Sequence, residues 1–247
     1  MYSMGEHVSA MNPRKVICAL DTHELDVATQ AVRQLCDHVG AFKIGHALTL
    51  NYGLDIVDRL RDAGAKRIFL DLKFHDIPNS VALAVREAAR RGVWMITLHT
   101  VGGPAMIGAA VEEAQCCPEE GRPLLVGVNV LTSVNQQVLT DHIGVNRTVS
   151  EQMAHLSQCA MDFGMDGVVC SPEEVRELRA TLPHDCVIVT PGIRRQDQAT
   201  GGHERMGTAE SAIEDGADYL VIGRGLMSAP DPVAALVAFG LKSPSNA

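Results

Sequence analysis

Short apolar runs separated by longer amphipathic stretches are the feature of this sequence that most constrains its fold. Eight such runs occur, and each is rich in aliphatic residues. A run that is apolar almost throughout predicts a parallel strand covered on both faces. The predicted strands span Val16–Leu20, Ala41–Ile44, Arg67–Leu70, Val93–Leu98, Leu124–Val130, Gly167–Cys170, Cys186–Thr190 and Tyr219–Ile222.

The segments between the runs predict helices on the outside of a sheet. Glu24–Leu35 and Asn79–Arg91 carry apolar residues at spacings of three and four, with polar residues opposite. Eight strand–helix units predict the α/β class and a single-domain (β/α)8 TIM barrel. A doubly wound sheet is less favoured because its first turn is usually rich in glycine, and the first turn here, LDTHELD, has no GxGxxG.

No linker or change in composition divides the chain, so we expect one catalytic domain over residues 14–242. Residues 1–13 are expected to form a flexible leader and residues 243–247 a flexible tail. The first residues lack the apolar region of a secretory signal, which predicts a cytoplasmic protein. The longest apolar stretch, Leu124–Leu131, is far shorter than the roughly 20 residues that cross a bilayer.

The charge and cysteine content exclude several classes of partner and cofactor. The 21 Lys and Arg residues against 30 Asp and Glu residues give a net charge of −9, which argues against a nucleic-acid or anionic membrane partner. Seven cysteines without a CxxC pair predict reduced thiols rather than disulfides or a zinc site. Because His75, His99 and His203 are isolated and no HExxH motif occurs, the sequence requires no metal.

Charged residues follow the first three predicted strands. Asp71 and Lys73 should project to one side of the third strand because strand side chains alternate, and Asp76 follows on the next loop. Asp21 ends the first strand and Lys43 lies near the end of the second, so the four alternating charges should meet at the barrel mouth. An ion pair that only closes the barrel end is the alternative.

A lysine flanked by carboxylates stays protonated, because the attraction favours its charged form. Such a lysine is a cation and a proton donor, whereas Schiff-base chemistry needs the neutral amine. The predicted surroundings of Lys73 therefore favour the stabilisation of a developing carbanion over imine formation.

The ends of the last two strands predict an anion site. Gly223 and Arg224 offer close backbone approach and a guanidinium fork, which suits phosphate, although a plain turn with a solvated arginine has the same letters. The polar segment Arg194–Met206 has the length of a lid. Thr132 and Ser133 after the fifth strand are expected to hydrogen-bond a heterocycle or ribose, or to cap a helix.

Six short segments occur in a fixed order along these strand ends. They read ALD, FKIG, DLKFHDIPNSV, LTS, TPGIR and VIGR, and they run from Asp21 to Arg224. In this order the chain closely resembles the orotidine 5′-phosphate decarboxylase family.

The resemblance implies decarboxylation of orotidine 5′-monophosphate to uridine 5′-monophosphate, the last step of UMP synthesis, without cofactor or metal. It implies that Lys73 stabilises a carbanion at C6 and protonates it, and that Asp71 lies beside the departing carboxylate. Lys43 would hold the charge network and contact ribose, and Asp21 would bind a ribose hydroxyl.

The resemblance also implies a homodimer with shared active sites. The residue that matches Asp76 reaches the partner's site in family members, and Ser80 lies in the same crossing segment. Thr132 matches a pyrimidine contact, and Arg194 and Arg224 match phosphate contacts.

His203 departs from the family pattern, which usually has glutamine there. Since histidine titrates near neutrality, we expect phosphate-dependent binding to be tighter at pH 6 than at pH 8. A His203→Gln variant with the same pH profile of KM as the unchanged protein would contradict this.

Two other functions remain alternatives at this stage. A magnesium-dependent sugar-phosphate decarboxylase or hexulose-phosphate synthase shares DxKxxD, but has an acidic metal ligand where this chain has Lys43, and a lysine opposes cation binding. A non-catalytic barrel that binds a phosphorylated ligand is the other, and it would not need the charge network.

Overall fold

The structure, a computed structural model, describes residues 12–194 and 207–241. The described strands are β1 (Val16–Ala19), β2 (Ala41–Ile44), β3 (Ile68–Phe74), β4 (Met95–His99), β5 (Leu124–Val128), β6 (Gly167–Val169), β7 (Val187–Thr190), β8 (Ile193–Arg194), β9 (Gly207–Thr208) and β10 (Tyr219–Ile222). Eight of them form a closed parallel barrel in the order β1-β10-β7-β6-β5-β4-β3-β2. The predicted (β/α)8 barrel is confirmed.

Helices surround the barrel and connect its strands. The described α-helices are α1 (Leu25–Leu35), α2 (His46–Tyr52), α3 (Asp55–Asp62), α4 (Pro78–Arg90), α5 (Gly103–Gln115), α6 (Val149–Asp162), α7 (Val175–Thr181), α8 (Ala209–Glu214), α9 (Arg224–Met227) and α10 (Pro232–Ala238). Short 3-10 turns occur at Pro13–Lys15, Thr100–Gly102, Glu119–Gly121 and Pro172–Glu174, and a π-helical turn at Val138–His142. None of the described helices is long and apolar enough to cross a membrane.

Two apolar layers explain why the strands are apolar almost throughout. Alternate strand residues, such as Val16, Cys18 and Leu20, pack outward against the helices. The residues between them, such as Ile17 and Ala19, point into the barrel and form a separate core. Both layers exclude water, so each strand needs apolar side chains on both faces.

The residues of the inner layer predict which later residues face the barrel mouth. Phe69 and Met95 belong to the inner core, as do Ala19 and Ala41. Two residues further along each strand or strand end come Asp71, Thr97, Asp21 and Lys43. The same alternation that fills the barrel with apolar side chains therefore carries these four polar residues to its open end.

The third strand leaves regular pairing at this point. β3 and β4 pair at Leu70 with Ile96 and again at Phe74 with Leu98. Three residues, Asp71 to Lys73, therefore lie opposite Thr97 alone, which is a β-bulge. Regular alternation along the sequence predicts Asp71 and Lys73 on one side of the third strand. In the structure both residues lie in the bulge, so the bulge and not regular alternation determines how they are placed.

Two regions bear on the remaining predictions. The pair of β8 and β9 was not predicted, and it holds Arg194 beside the barrel mouth. The predicted lid beyond Arg194, including His203, lies outside the described residues. Asn12 and Pro13, assigned to the leader, are described, and the Asn12 side chain accepts a hydrogen bond from the Arg14 N–H at 3.0 Å. The rest of the leader and the tail stay predictions.

Candidate active site

A cavity of about 710 Å³ opens at the carboxyl ends of the barrel strands. Its lining includes eight of the residues that the sequence singled out. They are Asp21, Lys43, Asp71, Lys73, Thr132, Arg194, Gly223 and Arg224. The strand ends therefore bring the predicted charges and the predicted anion site to one opening, as a (β/α)8 barrel requires of its active site.

An alternating chain of charges crosses the floor of this cavity. Lys43 Nζ lies 3.1 Å from Asp21 Oδ1 and 3.3 Å from Asp71 Oδ2. Lys73 Nζ lies 2.8 Å from Asp71 Oδ1. Asp71 is thus shared by two ammonium groups, and the predicted convergence of the four charges is confirmed.

The surroundings of Asp71 keep it ionised. Burial acts to raise the pKa of Asp71, but the charges of Lys43 and Lys73 and the hydrogen bonds from Lys73 and Thr97 together hold that pKa below its ordinary value. A carboxylate of this kind stays negative at neutral pH.

Another part of the cavity wall is built from glycine and arginine. A Cβ on Gly223 would lie 3.2 Å from Asp21 Oδ2 and 3.4 Å from the Ala19 Cβ, so a side chain there would crowd the charged chain. Arg224 begins α9 and Arg194 ends β8, and both line the cavity. Two guanidinium groups, beside the backbone of a glycine that a ligand can approach closely, suit a phosphate group.

Asp76 and Ser80 do not line this cavity within the described part of one chain. Asp76 is exposed, and its Oδ1 accepts a hydrogen bond from the Ile77 N–H at 2.6 Å. Ser80 lies in the first turn of α4. The roles expected for Asp76 and Ser80 therefore stay predictions.

Comparison with known proteins decides the family. A sequence model described as "Orotidine 5'-phosphate decarboxylase / HUMPS family" matches residues 14–239. The chain belongs to this family. It is 42% identical over 224 residues to orotidine 5′-phosphate decarboxylase of Moorella thermoacetica, covering 90% of this chain and 88% of that protein. It is 43% identical over 225 residues to the protein of the same name from Syntrophotalea carbinolica, covering 90% and 91%.

Solved structures agree with the family assignment. The crystal structure of orotidine 5′-phosphate decarboxylase from Lactobacillus acidophilus matches with a TM-score of 0.80 and 35% sequence identity. That match covers 92% of this chain and 97% of the other. An uncharacterized conserved protein from Geobacillus kaustophilus matches with a TM-score of 0.79 and 31% identity, over 91% and 97% of the two chains.

Sequence reasoning missed buried hydroxyl and amide groups at the ends of β4 and β5. Thr97 is 1% exposed and hydrogen-bonds Asp71. The buried Asn129 side chain, one residue after β5, accepts from Thr100 Oγ1 at 2.6 Å and donates to Ser157 Oγ at 2.8 Å, which ties the end of β5 to the 3-10 turn after β4 and to α6. Alternation along β4 would have identified Thr97, since it lies two residues after the inward-facing Met95.

A pair of histidines lies beside the charge network. The rings of His75 and His99 have centroids 5.5 Å apart. Burial lowers the pKa of His99, and the nearby His75 and Lys73 lower it further, so His99 is neutral at pH 7. In residues 12–194 and 207–241, no group of three or more His, Cys, Asp or Glu side chains is placed to hold a metal ion.

Proposed function

We propose that this protein decarboxylates orotidine 5′-monophosphate to uridine 5′-monophosphate and CO2, as the last step of UMP synthesis. The observation that carries this proposal is the sharing of Asp71 by Lys43 and Lys73 on the floor of an open cavity. The family assignment and the names of the relatives support it.

In the proposed reaction the bond between C6 of the pyrimidine and its carboxylate carbon breaks, and CO2 leaves. The electron pair stays on C6. The Lys73 ammonium stabilises this charge, gives a proton to C6, and regains a proton from water. Asp71 lies beside the departing carboxylate and holds the ammonium in place before charge develops, so little reorganisation accompanies the reaction.

The other lining residues bind the remainder of the nucleotide in this proposal. Arg194, Arg224 and the backbone at Gly223 hold the phosphate. Lys43 and Asp21 contact the ribose, and Thr132 contacts the pyrimidine. Binding energy from the phosphate, far from C6, then contributes to the chemical step.

The proposal includes no metal or cofactor, although the family description also names HUMPS. Lys43 supports this choice, because its ammonium lies between two carboxylates that a divalent cation would otherwise attract. An activity that persists in EDTA is the expected result. We propose that the reaction takes place in the cytoplasm, and the seven free cysteines support this location.

The decisive experiment follows the loss of orotidine 5′-monophosphate absorbance with purified protein in EDTA, beside a Lys73→Ala control. We expect rapid conversion that the control abolishes. No conversion by a folded protein would reject the proposal and favour a metal-dependent sugar-phosphate reaction or a binding role. Conversion that EDTA abolishes would reject the metal-free mechanism alone.

We further propose a homodimer in which Asp76, with Ser80 in the same segment, serves the partner's active site. The exposure of Asp76 and of the adjacent Ile77, 67% exposed, supports this arrangement, because an apolar side chain beside a carboxylate suits an interface.

Mixed dimers test the shared site. A dimer of one Lys73→Ala chain and one Asp76→Ala chain has one intact site if Asp76 acts across the interface, and none if it acts within its own chain. Random mixing of equal amounts should therefore restore about a quarter of the unchanged activity. No recovery despite demonstrated subunit exchange would reject the shared site and leave the decarboxylation proposal standing.

A further inference from the structure

The backbone of Lys73 has an unusual conformation. Lys73 has a φ of +52° and is the sole non-glycine residue with positive φ among those that the structure describes. This left-handed region is unfavourable for residues with a Cβ, and such strain persists only where the surroundings impose it. The bulge of β3 contains this residue, since regular pairing with β4 stops at Leu70 and resumes at Phe74.

The bulge removes the Lys73 N–H from the regular ladder of β3 and β4. The acceptor of this N–H is a side chain instead of a backbone carbonyl. Thr97, the one β4 residue opposite the bulge, accepts this hydrogen bond on Oγ1 at 2.9 Å. This N–H is partly buried, and a backbone N–H that is withdrawn from water needs a partner. The Thr97 hydroxyl is therefore the group that makes this backbone conformation tolerable.

The direction of the second hydrogen bond follows from the first. The Lys73 N–H is always a donor, so the Thr97 oxygen accepts there and its own proton is available for Asp71 Oδ1, at 3.0 Å. Asp71 Oδ1 also accepts from Lys73 Nζ at 2.8 Å. Three hydrogen bonds thus form a closed ring that holds Lys73 at both its backbone and its ammonium.

We propose that Thr97 is a positioning residue for the decarboxylation, which fixes the Lys73 ammonium through this ring. The inference rests on the proposed function. Thr97 is 1% exposed and does not line the cavity, so it acts through Asp71 and Lys73 rather than on the substrate. Its loss should consequently slow the chemical step and leave substrate binding nearly unchanged.

Two variants separate the hydroxyl from the shape of the side chain. Thr97→Val keeps the volume and removes both hydrogen bonds, and Thr97→Ser keeps the hydroxyl. We expect Thr97→Val to lower kcat about tenfold or more, because a small displacement of a reacting group is costly. KM and the Kd of UMP should change by less than about threefold, and Thr97→Ser should restore kcat to within about threefold.

Thr29→Val is the matched control. Thr29 is also a buried threonine, but its hydroxyl donates to the Asp26 carbonyl within α1, away from the cavity. We expect unchanged kcat in this variant. If Thr97→Val does not fold, Thr97→Cys carries the same expectation, since a thiol is a weak donor and acceptor.

Several results would overturn the inference. They are an unchanged kcat in Thr97→Val, an equal loss in Thr97→Ser, or a loss of UMP affinity parallel to the loss of kcat. Hydrogen exchange at the Lys73 amide supplies a readout that does not depend on activity, and it should be faster in Thr97→Val than in Thr97→Ser. If the unchanged protein does not decarboxylate, the proposed function fails, while the exchange rates still show whether Thr97 holds this backbone.

Discussion

The two ends of the barrel both carry clusters of acidic and basic side chains, but the clusters differ in what their charges contact. At the amino-terminal end, Asp218 Oδ2 accepts from the Ile188 N–H at 2.8 Å and from Arg179 Nη2 at 2.6 Å. The pair of Arg122 and Asp166 is built in the same way around a strand N–H. Each carboxylate there has one arginine and one backbone group.

At the carboxyl-terminal end, one carboxylate is shared by two basic side chains. Asp71 serves two lysines, and the lysines face the cavity instead of backbone carbonyls. An ammonium group has three protons, so Lys43 and Lys73 retain donor capacity that a ligand can use. The charged side chains at the amino-terminal end therefore bind backbone groups of the strands, whereas those at the carboxyl-terminal end surround the cavity.

Removal of a lysine from the barrel mouth should have the largest effect on activity. Lys73→Met should lower decarboxylation by at least about 10⁴-fold, because it removes both the cation and the proton donor. It should lower the midpoint of thermal unfolding only slightly, since Asp71 retains Lys43. Loss of folding together with activity would mean that the mouth charges are structural, like those at the other end.

The arginines of the mouth should act on binding. Arg224→Ala should lower kcat/KM for orotidine 5′-monophosphate about 100-fold through lost phosphate binding. On orotidine, which has no phosphate, the variant and the unchanged protein should be equal. Lys66→Ala is the control, because Lys66 pairs with Asp37 on the surface. An equal loss on both substrates would place Arg224 in a structural role.

The same kind of substitution at the amino-terminal end should have the opposite result. Arg179→Met removes hydrogen bonds to Asp218 and to the Gly216 and Cys186 carbonyls, and should cost about 2 kcal/mol of folding free energy. Chemical denaturation measures this, and the kcat of the folded protein should not change. A lowered kcat at full stability would contradict the division between the two ends.

The smallest expected effect is the dependence of stability on acid. Because the pKa of Asp71 is lower in the folded protein than in the unfolded chain, its ion pairs stabilise the fold above the unfolded pKa of about 3.9. This contribution is lost as pH falls through the lower folded value. Unfolding free energies of the unchanged protein and Lys73→Met, measured between pH 5 and about pH 2, should converge as the pH falls below about 4. Parallel curves would contradict the assignment.

Most of the barrel was predictable from local pattern. Each of the eight apolar runs overlaps one of the eight barrel strands, because burial on both faces demands the same residue types wherever a parallel strand lies. The bounds differ most at β3, which continues to Phe74 beyond the predicted end at Leu70. The convergence of Asp21, Lys43 and Asp71 on one cavity was also predictable, since strand ends of a barrel meet at one mouth. The pair of β8 and β9 was not, because two-residue strands have no pattern of their own.

The contacts of Thr97 could not be predicted in this way, because they join two separate segments of the chain. Alternation along each strand determines which side chains point into the barrel, so the sequence alone predicts the apolar inner layer and the charges that follow it. Register between strands is a property of two segments at once. Only the folded barrel places Thr97 opposite the bulge of β3, where a left-handed Lys73 needs a side-chain acceptor for its backbone.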